Sequence, residues 1–253
     1  ARLAGAGLSM LPTWPKQSGP KGAELRTFGP LCFGISLSFH PPMIRNLIFD
    51  FGNVLFDLDL AQIPLRFQRL WGAHYPAAMQ RLQQHRTLER YETGQISTEE
   101  FVHTLRHAAP DPLSAEQVLE LWDSIFLEMP ASRFDLLLRL RQRYRVFLLS
   151  NINDLHARYI TRYMLHRHGI QDFEDAYFDK VYYSHLIGLR KPERDVYEYV
   201  LADARLQAQE CVFFDDMEAN VAAARQVGIQ GIHHRPGSDI SARCADMGLL
   251  ELG

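Results

Sequence analysis

Five short apolar runs punctuate this chain, and their spacing constrains its fold more than any other feature. Ile44–Phe49, Val146–Leu149, Val181–Tyr183, Val212–Phe214 and Ile229–His233 are short and rich in β-branched and aromatic residues, the pattern of buried strands. Helical periodicity lies between them. Phe134–Arg141 is amphipathic, and Asp154–Arg167, Arg194–Ala204 and Glu218–Val227 read as helices, the last closed by Gly228 at the C′ position that favours glycine. Strands that alternate with helices need crossover connections, so the expected fold is α/β with a doubly wound parallel sheet. A chain of 253 residues, 47% hydrophobic and 23% charged, can bury such a core without staples.

The segment after the first strand breaks the alternation. Residues 60–128 are polar-rich and helical in pattern. Ser97-Thr98-Glu99-Glu100 has capping-box spacing and predicts a helix from Thr98 to about Ala108. Ser114 with Gln117 does the same for a helix carrying Val118, Leu121, Trp122 and Ile125. The expected organisation is therefore an α/β core over 43–59 and 129–253, with a helical insert over 60–128. Residues 1–42 read differently, with 6 of the 16 glycines, 6 of the 13 prolines and one acid, Glu24. They are expected to be a disordered leader or upstream extension, the folded part starting near Met43.

Several function classes lose support on composition alone. A net charge of −3 gives no electrostatic reason to expect nucleic acid or an anionic membrane as partner. Cys32, Cys211 and Cys244 are far apart with no CxxC pair, which argues against a zinc knuckle or disulfide framework and fits a reducing, cytoplasmic setting. No run reaches the roughly 18 apolar residues of a membrane span.

The polar residues that end the strands carry the chemistry. Phe49 runs into Asp50, Leu149 into Ser150-Asn151, and Phe214 into Asp215-Asp216. Ligands of open parallel sheets bind at the carboxyl ends of the strands, so neighbouring strands would bring Asp50, Ser150 and Asp215 into one crevice. Asp is also a common helix cap, which explains each acid singly but not three acids and a hydroxyl in one geometrical class. Clustered carboxylates repel one another unless a cation sits among them. Mg²⁺ suits such a site when substrate phosphate completes its ligands. Lys191, in Gly188-Leu189-Arg190-Lys191-Pro192, offers a further positive charge.

Taken in order, Asp50-Phe51-Gly52-Asn53-Val54, Leu149-Ser150-Asn151, Gly188-Leu189-Arg190-Lys191-Pro192 and Phe214-Asp215-Asp216 resemble the four motifs of the haloacid dehalogenase-like hydrolase superfamily. Together with Tyr91-Glu92-Thr93-Gly94-Gln95-Ile96-Ser97, they look most like the bacterial α-D-glucose-1-phosphate phosphatase type. The resemblance implies a Mg²⁺-dependent phosphomonoester hydrolase acting on a small phosphorylated metabolite, with sugar phosphates favoured. Asp50 would be the nucleophile, forming an aspartyl-phosphate. Asp50, the backbone carbonyl of Gly52 and Asp215 would hold Mg²⁺. Ser150, Asn151 and Lys191 would bind the phosphoryl group, Lys191 also acting in catalysis. Asp216 would orient a metal-bound water or Lys191, and the 60–128 insert would be the small helical cap.

Gly52 departs from the superfamily pattern, where most phosphatases carry a second Asp as general acid and base. Losing that group typically costs 10²–10⁴-fold for a poor leaving group. Water, Asn53 or an insert residue is left to supply the proton. Two rivals follow: a metal-free dehalogenase, and a weakly catalytic phospho-ligand binder. The adjacent Asp215-Asp216 pair argues against the dehalogenase, because without a cation it only adds repulsion. Glu92 and the Gly94 turn could enter the pocket and Tyr91 could pack a sugar face, or Tyr91 could belong to the insert's core and Gly94 simply end a helix; Asn220 could face the pocket or solvent. Asp57 and Asp59 fit turn acids as well as ligands. His233-His234 and His166-x-His168 lack an acid or Cys partner at ligand spacing.

Overall fold

The computed structural model describes residues 43–250, and the leader expected over 1–42 lies outside them. Strands β1 (Asn46–Phe49), β2 (Arg145–Ser150), β3 (Lys180–Tyr183), β4 (Cys211–Asp215) and β5 (Gln230–His233) form one parallel sheet in the order β3-β2-β1-β4-β5. Every residue of β1 is buried. Its side chains alternate, Leu47 and Phe49 joining Val146, Leu148, Val212 and Phe214 in one apolar cluster. Ile48 joins Phe147, Leu149 and Phe213 in another. These are the two faces of a sheet covered by helices on both sides. Phe49 pairs in register with Leu148 and Phe214, and the Phe49 and Phe214 rings stack at 5.0 Å.

The chain winds from β1 through β2 to β3 on one side, then returns to the other side of β1 for β4 and β5. The winding therefore reverses between β1 and β4, and the crevice of an open α/β sheet forms at such a reversal. Asp50 and Asp215 sit there, and the Asp50 N–H donates to the Phe214 carbonyl at 2.8 Å.

Between β1 and β2 lie α1 (Gln62–Trp71), α2 (Tyr75–Gln84), α3 (Thr87–Glu92), α4 (Thr98–Arg106) and α5 (Ala115–Trp122). They share an apolar cluster of their own that includes Phe67, Trp71, Tyr91, Phe101 and Trp122. The Ser97 hydroxyl accepts from the Glu100 N–H at 3.1 Å, and Ser114 and Gln117 close a full capping box. The chain leaves the core through Asp57–Asp59 and returns through Ile125–Glu128, the two connectors joined by backbone bonds of 2.8–3.0 Å. Arg133 pins the departure, bonding the Leu55 carbonyl at 2.9 Å and Asp57 at 2.8 Å. Asp59 accepts from the Ala61 N–H and Gln62 Nε2 at the start of α1, a turn acid by its contacts.

The core helices are α6 (Ala131–Arg141), α7 (Asp154–Tyr163), α8 (Phe173–Tyr177), α9 (Ser184–Ile187), α10 (Arg194–Asp203), α11 (Glu218–Gln226) and α12 (Ile240–Asp246). Two differences from the sequence reading stand out. Helix α7 widens into a π turn at Met164–His168 rather than continuing to Arg167. Helices α8, α9 and α12 have 5, 4 and 7 residues, too few turns for a 3.6-residue period to register. Among the described residues no helix is long and apolar enough to cross a membrane.

Candidate active site

Lys191 is the centre of the site. Its side chain is 2% exposed, and Nζ lies 2.7 Å from Asp50 Oδ1 and 2.7 Å from Asp215 Oδ2. Three separate segments converge here: the ends of β1 and β4 and the loop after α9. Burial opposes the charge on Lys191, but Asp50 and Asp215 outweigh it and hold the ammonium above its ordinary pKa.

Each member is braced. The Asn151 carboxamide bonds both backbone groups of Lys191, donating to its carbonyl and accepting from its N–H, each at 2.8 Å. Asn220 Nδ2 reaches both oxygens of Asp215, at 2.9 and 3.1 Å, and the Met217 N–H adds a bond of 2.8 Å to Oδ1. Asn220 therefore faces the site, from the first turn of α11. Asp216 accepts from Asn53 Nδ2 at 3.1 Å, while Asn53 Oδ1 accepts from the Leu58 N–H. Ser150 ends β2 and, with Gly52, lines the same cavity.

The acids outnumber their cation. One carboxylate oxygen from each of Asp50, Asp215 and Asp216 lies within 4.8 Å of the other two, against one ammonium. Burial, reinforced by Asp215 and only partly opposed by Lys191, pushes Asp50 up to about 7. Burial and Asp215 also raise Asp216. Three hard oxygen donors with surplus negative charge fit a small divalent cation such as Mg²⁺. Asp216 thus contributes a carboxylate to the cluster itself, beyond the orienting role expected for it.

The cavity has a volume of about 430 Å³ and is lined by core and insert residues together. The insert is tied to the start of α7. The Leu155 N–H donates to the Tyr91 hydroxyl at 3.1 Å, and the Thr98 hydroxyl donates to Asp154 at 2.7 Å. Trp122 Nε1 donates to Asn153 Oδ1 at 3.3 Å, and His156 Nε2 bonds the Trp122 carbonyl at 3.0 Å. Tyr91 is stacked on Phe101 at 4.0 Å and buried in the insert's core, so it is not a substrate platform. Glu92 does line the cavity, 3.1 Å from Arg190. Burial raises its pKa against the pull of Arg190. Gly94 has φ +67°, and a Cβ there would lie 2.4 Å from the His185 carbonyl oxygen, so the insert's backbone rests directly on α9.

The missing general acid has a structural counterpart. A Cβ on Gly52 would lie 2.8 Å from Leu58 Cδ1, so Leu58 fills the space that an Asp side chain would enter. Asn53 is committed to Asp216 and the Leu58 N–H. An amide is also no proton donor of useful acidity.

Asn153, His156 and the pairing of Arg190 with Glu92 were not read from sequence. Asn53, considered there only as a proton source, adopts φ 56°, a region Asn tolerates better than most residues. The others are pairings between distant segments. Of the remaining candidates, His233 Nε2 bonds the Asp216 carbonyl at 2.9 Å, and Cys211 is buried at the start of β4.

A parallel sheet with a carboxylate–ammonium cluster at its switch point defines an α/β protein with a ligand crevice there. The chain matches the haloacid dehalogenase-like hydrolase family over residues 44–228 and belongs to it. It is 28% identical over 197 residues to the D-ribitol-5-phosphate phosphatase of Bacteroides thetaiotaomicron, spanning 78% of this chain and 95% of that protein. A sesquiterpene phosphatase of Aspergillus oryzae is 30% identical over 164 residues, 64% of this chain and 77% of that one. Among solved structures, a HAD family enzyme of B. thetaiotaomicron superposes with a TM-score of 0.70 at 30% identity, covering 79% of this chain and 98% of its own, in complex with magnesium and inorganic phosphate. A HAD-like hydrolase of Porphyromonas gingivalis gives 0.68 at 31% identity, over 81% and 98%.

Proposed function

We propose that this protein is a Mg²⁺-dependent phosphomonoester hydrolase that works through an aspartyl-phosphate on Asp50. The observation that carries the reading is the convergence of Asp50, Lys191 and Asp215 at 2.7 Å contacts on the crevice of the sheet. Asp50, the Gly52 carbonyl and Asp215 are the residues that would hold Mg²⁺, with Asp216 beside them. Bound there, the cation supplies the charge compensation that lets an anionic carboxylate meet an anionic phosphoryl group.

The protein's own groups do the rest. Asp50 attacks phosphorus, the bond from phosphorus to the alcohol oxygen breaks, and water then hydrolyses the acyl-phosphate to free Asp50 and phosphate. Lys191 draws Asp50 toward its ionised form against the burial that raises its pKa and neutralises the phosphoryl oxygens, in a setting dry enough to make that charge effective. Ser150 and the Asn151 backbone bind the same oxygens, and the Asn151 carboxamide fixes the Lys191 backbone. The insert over 60–128 acts as a cap on the core of 43–59 and 129–253. Its support is the cavity lined from both sides. The metal-free dehalogenase loses ground because it leaves three neighbouring carboxylates against one lysine.

The two phosphatase relatives differ in the alcohol their names specify. The ribitol-phosphate enzyme supports a second reading of that half, a sugar or polyol phosphate, as the motifs suggest. The terpenoid enzyme supports an apolar one. The test is phosphate release from a panel of monoesters, glucose 1-phosphate and ribitol 5-phosphate included, in Mg²⁺ and in EDTA. Metal-dependent release is expected, and metal-independent release would overturn the reading.

A further inference from the structure

The phosphate end of the cavity is charged, but its outer wall is not. Leu58, Leu60, Ile63, Leu88, Ile125 and Met217 line it. Leu60, Leu88 and Met217 are large apolar side chains left 55%, 44% and 54% exposed, and all three ring this one opening. Exposed apolar groups scattered singly need no explanation, but a cluster at the mouth of a charged site marks a ligand surface.

Recognition of a sugar or polyol depends on polar groups free to bond its hydroxyls. Here most of the polar lining is already spoken for. Asn53 is bonded to Asp216 and Leu58, and Asn153 and His156 are bonded to Trp122. Glu92 and Arg190 are paired with each other at 3.1 Å.

The second constraint is chemical. Gly52 offers no carboxyl to protonate a leaving oxygen, and a Cβ there would lie 2.8 Å from Leu58 Cδ1. An aliphatic alkoxide leaves slowly without that proton. A phenol, with a pKa near 10, leaves as the phenolate and takes its proton from solvent afterwards.

Apolar wall and absent acid select the same kind of alcohol. Resting on the phosphatase reading above, we infer that the preferred substrate class is an aryl phosphate monoester. The Asp50–phosphorus bond forms as the bond from phosphorus to the phenolic oxygen breaks, the electron pair leaving with the phenolate.

The test compares kcat/KM in Mg²⁺ for 1-naphthyl phosphate, phenyl phosphate, ribitol 5-phosphate and glucose 1-phosphate, using wild type and Leu88→Ser. Leu88 is half-exposed on α3, so its substitution spares the fold. The expected result is that naphthyl phosphate exceeds both sugar and polyol esters by at least about tenfold, the scale of one well-buried apolar group. That advantage should shrink several-fold in Leu88→Ser. Equal or better turnover of ribitol 5-phosphate or glucose 1-phosphate would overturn the inference while leaving the phosphatase reading intact. An advantage unchanged in Leu88→Ser would also overturn it. Failure to hydrolyse any ester would overturn the phosphatase reading itself.

Discussion

Replacing Lys191 with Met keeps the length of the side chain and removes its charge. The ammonium is buried between Asp50 and Asp215 at 2.7 Å from each, and Asp215 is 0% exposed. Removing one partner of a buried ion pair costs about 3–5 kcal/mol, because the other charge is left without compensation. The lower end is expected here, since Asp50 can take up a proton and Asn220 and Met217 still bond Asp215. For a chain of this size each kcal/mol moves the melting temperature by about 2–4 °C, so the variant should melt roughly 6–12 °C below wild type in EDTA. A divalent cation among the same carboxylates replaces the missing charge. Mg²⁺ should therefore raise the melting temperature of Lys191→Met more than that of wild type. Thermal unfolding of both proteins in EDTA and in Mg²⁺ measures the effect. A variant that melts within about 2 °C of wild type in EDTA, or that Mg²⁺ stabilises no more than wild type, would refute the argument.

Further outcomes follow from neighbouring contacts. Asn151→Ala removes both bonds to the Lys191 backbone and should lower kcat by about 10–10²-fold, the scale of a misplaced catalytic group, as steady-state kinetics would show. Gly94→Ala forces a side chain to φ +67° and a Cβ to 2.4 Å from the His185 carbonyl, so denaturant unfolding should show a loss of at least about 2 kcal/mol. Burial holds His156 neutral, its pKa lowered from 6.5 to about 4. Between those values the unfolded chain binds a proton that the folded chain does not, so stability should fall as pH drops below 6.5. The part due to His156 is about 2 kcal/mol at pH 5 relative to pH 8. Urea titrations at the two pH values, on wild type and His156→Gln, measure it as the difference in slope.

Much of the site was legible because it depends on strand ends. A buried strand declares itself by a short apolar run, and a parallel sheet sends every carboxyl end to one edge. Asp50, Ser150 and Asp215 could thus be grouped before any coordinates. The order β3-β2-β1-β4-β5, with its reversal beside β1, places Asp50 against Asp215. What could not be read was which side chain meets which. Tyr91 looks like a candidate to touch substrate until its hydroxyl is seen bonding Thr98 and Leu155. Asn220 reads equally well as a pocket or a surface residue until α11 is docked and its amide spans Asp215. Arg190 and Glu92 are 98 residues apart in the chain, and no local pattern links them. Gly52 was visible as a departure, but the side chain that fills its space comes from Leu58, six residues on and aimed back into the turn. Short-range periodicity encodes elements, whereas these contacts depend on how elements pack.

The central claim concerns one atom, the Asp50 carboxylate oxygen that attacks phosphorus. Its most direct test is rapid acid quenching of Mg²⁺-loaded protein turning over a phosphomonoester, followed by mass spectrometry of the peptide containing Asp50. The account expects one phosphoryl group on Asp50, absent in EDTA and in Asp50→Asn, with turnover lost in both. A phosphoryl group on another residue, or undiminished phosphate release by Asp50→Asn, would contradict it.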